Sequence, residues 1–291
     1  MSHARPLAFV LAVSALLAMP NGAAAQDGSL KFPAASPPAS VSDQIGLTTV
    51  EIESGRPGVK GRTIFGDLVP FGQVWRTGAN AATRITLDTD IIFGGQALAA
   101  GTYALFTIPG QQQWTVILNS ATEQWGSYGH DAALDVVRVE VKKETLAEPV
   151  ETMRLGIDHI RNDSAQLSFA WERSGFRVPI EVDLVAQLVP KINEAMAAPG
   201  EKKPYLAAAM FYYEHDLDLE QAIAWINTAL EQQPDAVWLQ YRKGLIQAKA
   251  GDTVGARESA AKALSLAQAI DGELGTEYSR LSEALLAKLE K

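Results

Sequence analysis

The feature that most constrains this chain is a change of hydrophobic period near Leu184. Before that point, short segments alternate apolar with polar residues, and Gly or Pro residues separate them. Such alternation over many short segments is typical of an all-β sandwich or barrel. After Leu184 the apolar residues recur at helical spacing. The sequence therefore predicts a multidomain protein, with an antiparallel all-β sandwich over residues 46–184 and an all-α module over residues 185–291.

Two details of the β pattern give local predictions. Ser174-Gly175 separates two alternating runs, so we expect a turn there. Pro179 cannot donate a backbone hydrogen bond, which predicts that the last strand lies at the edge of its sheet.

The helical module repeats on itself. Ala222, Ala229 and Leu230 recur 34 residues later as Ala256, Ala263 and Leu264. This period, with small residues at these positions, resembles tetratricopeptide repeats. About two repeats are followed by a predicted capping helix over residues 273–289. Repeats of this kind present a concave surface, so we expect a protein or peptide partner. The candidate partner-binding residues are the aromatic side chains Tyr212, Trp225, Trp238 and Tyr241.

The N-terminus has the pattern of a secretory signal peptide. A basic start is followed by an apolar run from Leu7 to Met19 and by Ala23-Ala24-Ala25, which predicts a signal peptide over residues 1–25, cleaved after Ala25. The Pro- and Ser-rich residues 26–45 are interpreted as an extended leader. We therefore expect an exported, periplasmic protein. A formal charge of −9 argues against nucleic-acid binding and against docking on anionic lipid, and no segment after the signal is apolar for long enough to insert into a membrane.

Residues 56–83, called the central loop below, are the strongest candidate for a binding segment. Glycines and large apolar residues mix there without a clear period, and basic residues exceed the single Asp67. Arg62, Arg76 and Asn80 are the candidate ligand-binding residues, because a guanidinium fits a carboxylate or phosphate and an amide fits a polar ligand. The structural alternative is that Arg76 pairs with Asp67 and Asn80 caps a turn.

The sequence predicts no catalytic residue. The chain has no cysteine, which excludes disulfides and thiolate chemistry. It also lacks the common nucleophile, metal and phosphate-loop motifs, so no metal and no cofactor are predicted. His130, beside Tyr128 and Asp131, is a possible acid–base residue, although a polar loop histidine is the more ordinary interpretation.

The tryptophans fall into two groups. Trp114 and Trp171 are in phase with the apolar strand positions and are predicted to lie in the core. Trp125 and Tyr128 lie outside the strand pattern and are the predicted exposed pair, whose rings could stack on a sugar. Together with His130 they complete the six candidate ligand-binding residues.

Several long motifs occur in a fixed order: GRTIFGDLVPFGQVWRTGANAAT, then GTYALFTIPG, then WGSYGHD. Together they resemble an exported bacterial family known only as a domain of unknown function, over about residues 38–184. Ser54-Gly55 departs from the Tyr-Ser often found there in that family. The resemblance implies an all-β domain that helical repeats sometimes follow. It implies no substrate, cofactor or catalytic residue.

Three hypotheses remain open. In the favoured one the protein is a non-catalytic binder, whose β domain holds a ligand and whose repeats hold a partner. In the second it is a hydrolase or transferase for an anionic or carbohydrate substrate, which requires His130 to lie near Arg76 in a concave site. In the third the central loop is a structural plug.

Overall fold

The computed structural model describes residues 32–200 and 202–290, so the predicted signal peptide and residues 26–31 lie outside the described part. The N-terminal portion contains ten β-strands: β1 (Pro38–Ile45), β2 (Thr48–Gly55), β3 (Thr83–Leu87), β4 (Ile91–Phe93), β5 (Gln96–Leu98), β6 (Gly101–Ile108), β7 (Gln113–Asn119), β8 (Asp135–Lys142), β9 (Glu144–Asp158) and β10 (Ser164–Glu181). They form two antiparallel sheets, one of six strands in the order β1-β2-β3-β6-β7-β8 and one of four in the order β5-β4-β10-β9.

The two sheets share one apolar core, as a sandwich requires. The predicted core residues Trp114 and Trp171 are each 1% exposed. The central loop adds to this core, because the side chains of Ile64 and Trp75 are also buried. Trp75 stacks on Trp171 with ring centroids 5.8 Å apart. Part of the central loop is therefore structural, as the plug hypothesis supposed.

Two predictions in this region are wrong. Residues 38–45 are not leader, because they form β1 and pair along their whole length with β2. Asp43 occupies an inward position of this strand and breaks its apolar alternation, which hides it in the sequence. The expected turn at Ser174-Gly175 is instead a bulged stretch within the continuous strand β10.

The prediction that the last strand lies at the edge of its sheet is also wrong, because β10 is internal in the sheet order. The local pairing nevertheless explains how Pro179 fits there. Pairing of β10 with β9 ends at Gly175, and β10 then pairs with β4 through Ile180. Pro179 accepts a hydrogen bond from Gly94 through its carbonyl and needs no donor.

Six helices follow: α1 (Leu184–Ala197), α2 (Tyr205–Glu214), α3 (Leu219–Gln232), α4 (Val237–Lys249), α5 (Thr253–Gln268) and α6 (Glu273–Leu289). The change of period near Leu184 thus marks the change from strand to helix. Asp218 and Asp252, which are 34 residues apart, cap the N-termini of α3 and α5. Each side chain accepts a hydrogen bond from the backbone N–H three residues later, at Gln221 and at Gly255. The equivalence of these helical units to tetratricopeptide repeats stays a prediction.

The first helix joins the two parts of the molecule. Leu184 is buried in the β core, and Gln187 donates to the Thr48 and Thr89 hydroxyls at 3.3 and 3.2 Å. Farther along α1, Ile192 and Met196 pack on the helical core.

Candidate functional site

One row of residues crosses the whole outer face of the six-stranded sheet. Cross-strand pairing places its six members side by side, in the order Ser40, Glu53, Arg84, Ala104, Asn119 and Asp135. One half of this row is covered and the other half is open to solvent.

Residues 120–134, called the covering loop, bury the half that contains Asn119 and Asp135. Asn119 is fully buried and donates to the Asp135 carboxylate at 2.8 Å. His130 lies 2.9 Å from the same carboxylate through Nε2. The side chains of His130 and Asp135 are only 9% and 2% exposed. The imidazole also packs edge-on against Phe106, at 5.1 Å between centroids.

His130 therefore fastens the covering loop to the sheet. Its expected neighbours do not take part, because Tyr128 is 91% exposed and the Asp131 carboxylate accepts a hydrogen bond from the backbone of Ala133. Asp135, five residues along the chain, is the real partner. Arg138 pairs with the second oxygen of that carboxylate at 2.5 Å.

The open half of the row forms a groove of about 710 Å³, called the sheet groove. Its floor contains Ser40, Glu53 and Arg84. Its wall is formed where the central loop runs beside the covering loop. Ala82 donates to the Gln124 carbonyl at 2.9 Å, and Gly126 donates to the Asn80 carbonyl at 3.2 Å. The sheet groove is lined by Pro38, Ala39, Ser40, Glu53, Ser54, Gly55, Ala79, Asn80, Ala81, Ala82, Arg84, Thr122, Glu123, Gln124 and Trp125.

Trp125 is the main apolar feature of this site. It lies on the wall, and 71% of the residue is exposed. A tryptophan ring is a large rigid surface, and ordinary folding tends to bury it. The indole is therefore available to a ligand.

The floor of the sheet groove is a small ion-pair network. Arg84 donates to Glu53 at 2.7 Å and to Glu123 at 3.1 Å. The hydrogen bonds to Glu53, and then the charge of that carboxylate, raise the pKa of the Arg84 guanidinium above its usual value. Two carboxylates thus face one guanidinium, so the groove carries a net negative charge.

Close backbone approach shapes the wall near Asn80. Asn80 has a φ of 68°, in the left-handed region that asparagine tolerates better than most residues. Ala79 donates to the Gly55 carbonyl at 3.0 Å. A Cβ on Gly55 would lie 2.2 Å from the Ala79 carbonyl oxygen, so only glycine permits this crossing.

Of the six predicted ligand-binding residues, two line the sheet groove, Asn80 and Trp125. Arg62 donates to the carbonyls of Gly58 and Val59 and closes its own turn. Arg76 is half-buried, and its Nε has no hydrogen-bond partner among the described residues. It forms no ion pair with Asp67 within that part of the chain. Arg62 and Arg76 thus do not line the site, and neither do Tyr128 and His130.

The predicted partner-binding aromatics of the helical module also divide. Tyr212 and Trp225 are 7% and 9% exposed and pack edge-on against each other, which removes them from the surface and corrects that prediction. Trp238 is half-buried and lines a groove of about 540 Å³. Tyr241 is half-buried against Tyr278.

Sequence reasoning missed Glu53, Arg84 and Glu123. Glu53 and Arg84 are the polar members of alternating strands, which look like ordinary solvent-facing residues. Their pairing depends on the register between β2 and β3. The available signal was that two neighbouring predicted strands carry charged residues of opposite sign, which indicates a cross-strand ion pair.

Two further observations concern metal ions and membranes. Within residues 32–200 and 202–290, no cluster of three or more His, Asp or Glu side chains is placed to hold a metal ion. Over the same residues, no helix combines the length and apolarity needed to cross a membrane.

The sequence of the β domain matches the model of a protein family. Residues 36–180 match the family model described as "Protein of unknown function (DUF2911)". The match supports the resemblance to a domain of unknown function and covers nearly all of the sandwich. No curated protein and no solved structure matches the chain.

Proposed function

We propose that the protein is a non-catalytic binder whose β domain holds an uncharged carbohydrate in the sheet groove. The observation that carries this proposal is the exposed indole of Trp125 on the wall of a groove with a polar floor. The apolar face of a sugar ring stacks on an aromatic plane. Its hydroxyl groups act as both donors and acceptors, and the groove offers both kinds of partner. Glu53 and Glu123 accept hydrogen bonds, whereas the exposed Asn80 offers an amide that can do either.

The charge of the groove favours a neutral ligand over an anionic one. Its one guanidinium, Arg84, already binds two carboxylates. An incoming anion would have to displace one of them and would still meet the other. The other two candidate arginines, Arg62 and Arg76, do not line the groove, so they do not offset its negative charge.

The rival hydrolase hypothesis gains little support from this geometry. It requires His130 in the same site as Arg76, yet His130 is nearly buried beneath the covering loop and bound to Asp135. Glu53 and Glu123 give the groove two carboxylates, and glycosidases use a pair of carboxyl groups for catalysis. Their side chains are 47% and 86% exposed, however, and a catalytic acid of that class is usually kept protonated by burial.

We also propose that the protein is exported to the periplasm and that its helices bind a partner. The N-terminal pattern supports export. Mass spectrometry of the protein purified from its native cell should give a chain that begins at Gln26, and an intact Met1 would contradict export. The partner proposal now rests on the groove beside Trp238, since Tyr212 and Trp225 lie in the core.

A screen of neutral oligosaccharides tests the ligand proposal. The wild-type protein should bind at least one of cellopentaose, maltopentaose and N-acetylchitopentaose in isothermal titration calorimetry. Trp125→Ala should lose that binding, because the stacking surface is gone. Tyr128→Ala is the matched control, since it removes an exposed aromatic ring of the same loop that does not line the groove. Preference for an anionic oligosaccharide, or equal binding by Trp125→Ala, would refute the proposal.

A further inference from the structure

A second cavity lies where the sandwich is open at its side. β1 is the edge strand of the six-stranded sheet and β9 is the edge strand of the four-stranded sheet. A cavity of about 410 Å³, called the edge cavity, is lined by residues from β1, β9 and β10. Small-molecule sites typically occupy roughly 300–1,000 Å³, so its size suits one small ligand.

The edge cavity combines apolar walls with basic groups. Val41 and Leu146 line it and are only partly buried, so apolar surface remains available there. Phe169 and Phe176 also border it, and their rings stack 5.0 Å apart within the core.

The charged groups of the edge cavity are mainly basic. Three arginines and two carboxylates line it, which leaves one net positive charge. Arg177 is paired with Glu144 at 2.6 Å, whereas Asp158 accepts a hydrogen bond only from the neutral Ser168 and keeps its negative charge. Arg56 and Arg154 also line the cavity, and neither forms an ion pair within the described residues. Arg56 donates through Nε to the Met153 carbonyl at 2.7 Å, which fixes the guanidinium at this place.

The geometry points to a small amphiphilic anion as the ligand of the edge cavity, such as a medium-chain carboxylate. The carboxylate binds the guanidinium of Arg154, and that of Arg56 beside it, because a guanidinium fork fits a carboxylate with two hydrogen bonds. The alkyl chain lies on the apolar walls at Val41 and Leu146. The lining of this site shares only Ala39 with the sheet groove, and its ligand is anionic, whereas the ligand proposed for the groove is uncharged.

Octanoate is a suitable probe, with acetate and octanol as its head-group and chain controls. In isothermal titration calorimetry the intact mature protein should bind octanoate at least about tenfold more tightly than either control, since each lacks one half of the recognised chemistry. Arg154→Gln should weaken octanoate binding by about tenfold or more. Arg161→Gln removes an exposed arginine outside the cavity and should change nothing.

A second variant tests the cavity by shape. A Cβ at Gly156 would meet no atom within 4 Å, so Gly156→Leu puts bulk into the cavity without a clash at that atom. We expect this variant to melt near the wild-type temperature and to lose octanoate. No binding of octanoate by the wild type, equal binding of acetate, or wild-type binding by Arg154→Gln and Gly156→Leu would each overturn the inference. The oligosaccharide titration at Trp125 is independent of all these outcomes.

Discussion

The covered and open halves of the six-stranded sheet carry the same kind of polar row but use it differently. In the covered half, His130, Asn119 and Arg138 all converge on Asp135, and the covering loop excludes solvent from that carboxylate. In the open half, Arg84 joins two carboxylates that remain in water. A polar cluster that is dry and fully paired stabilises structure, whereas one in water contributes little stability and stays available to a ligand.

The largest expected effect comes from breaking the covered half. Asp135→Ala removes a carboxylate on which three side chains converge and leaves His130 and Asn119 buried without it. We expect a loss of about 3 kcal/mol in unfolding free energy. For a domain of this size the melting temperature should fall by about 6–12 °C. Glu123→Ala in the open half is the control and should melt within about a degree of wild type. A fall of under a degree for Asp135→Ala would mean that the covered cluster is not structural.

The next effect concerns the junction that forms the wall of the open half. In Gly55→Ala, the new methyl group meets the Ala79 carbonyl, and the backbone has to move. We expect a loss of about 1–3 kcal/mol, as in other overpacked sites. Urea denaturation measures it. The displaced Asn80 should also weaken oligosaccharide binding. Unchanged stability and unchanged binding would show that the two segments do not need this close crossing.

The smallest stability effect should come from the floor of the open half. Arg84→Gln breaks two exposed ion pairs and should cost less than about 1 kcal/mol. The groove then has two unmatched carboxylates, so binding of any anionic oligosaccharide should become weaker still. Urea denaturation and calorimetry on one sample separate these effects. A loss of several kcal/mol would place Arg84 with the structural residues and weaken the contrast between the halves.

Much of the fold could be predicted because its pattern is local. Alternating residues around Trp114 and Trp171 indicated strands and core positions, and the change of period at Leu184 located the helices. Residues 38–45 were missed because Asp43 interrupts the apolar alternation of β1, and only pairing with β2 identifies that strand.

The site was harder to predict because it depends on contacts between distant segments. Asn80 and Trp125 were selected separately, for a loop amide and an exposed ring, and the structure brings them to one wall. His130 was assigned to its neighbours in sequence, whereas its partner Asp135 stands at the start of β8. Arg76 looked available because of its charge, yet it does not line the groove that its own loop helps to form.

The most direct test of this contrast is one calorimetric experiment on two variants, with the oligosaccharide that the wild type binds best. Trp125→Ala should lose binding and keep the wild-type melting temperature, because its side chain is exposed. His130→Gln should melt several degrees lower and keep more of its affinity than Trp125→Ala at a temperature where it is folded, because His130 does not itself line the sheet groove. The opposite pattern, with affinity lost in His130→Gln and retained in Trp125→Ala, would contradict the account.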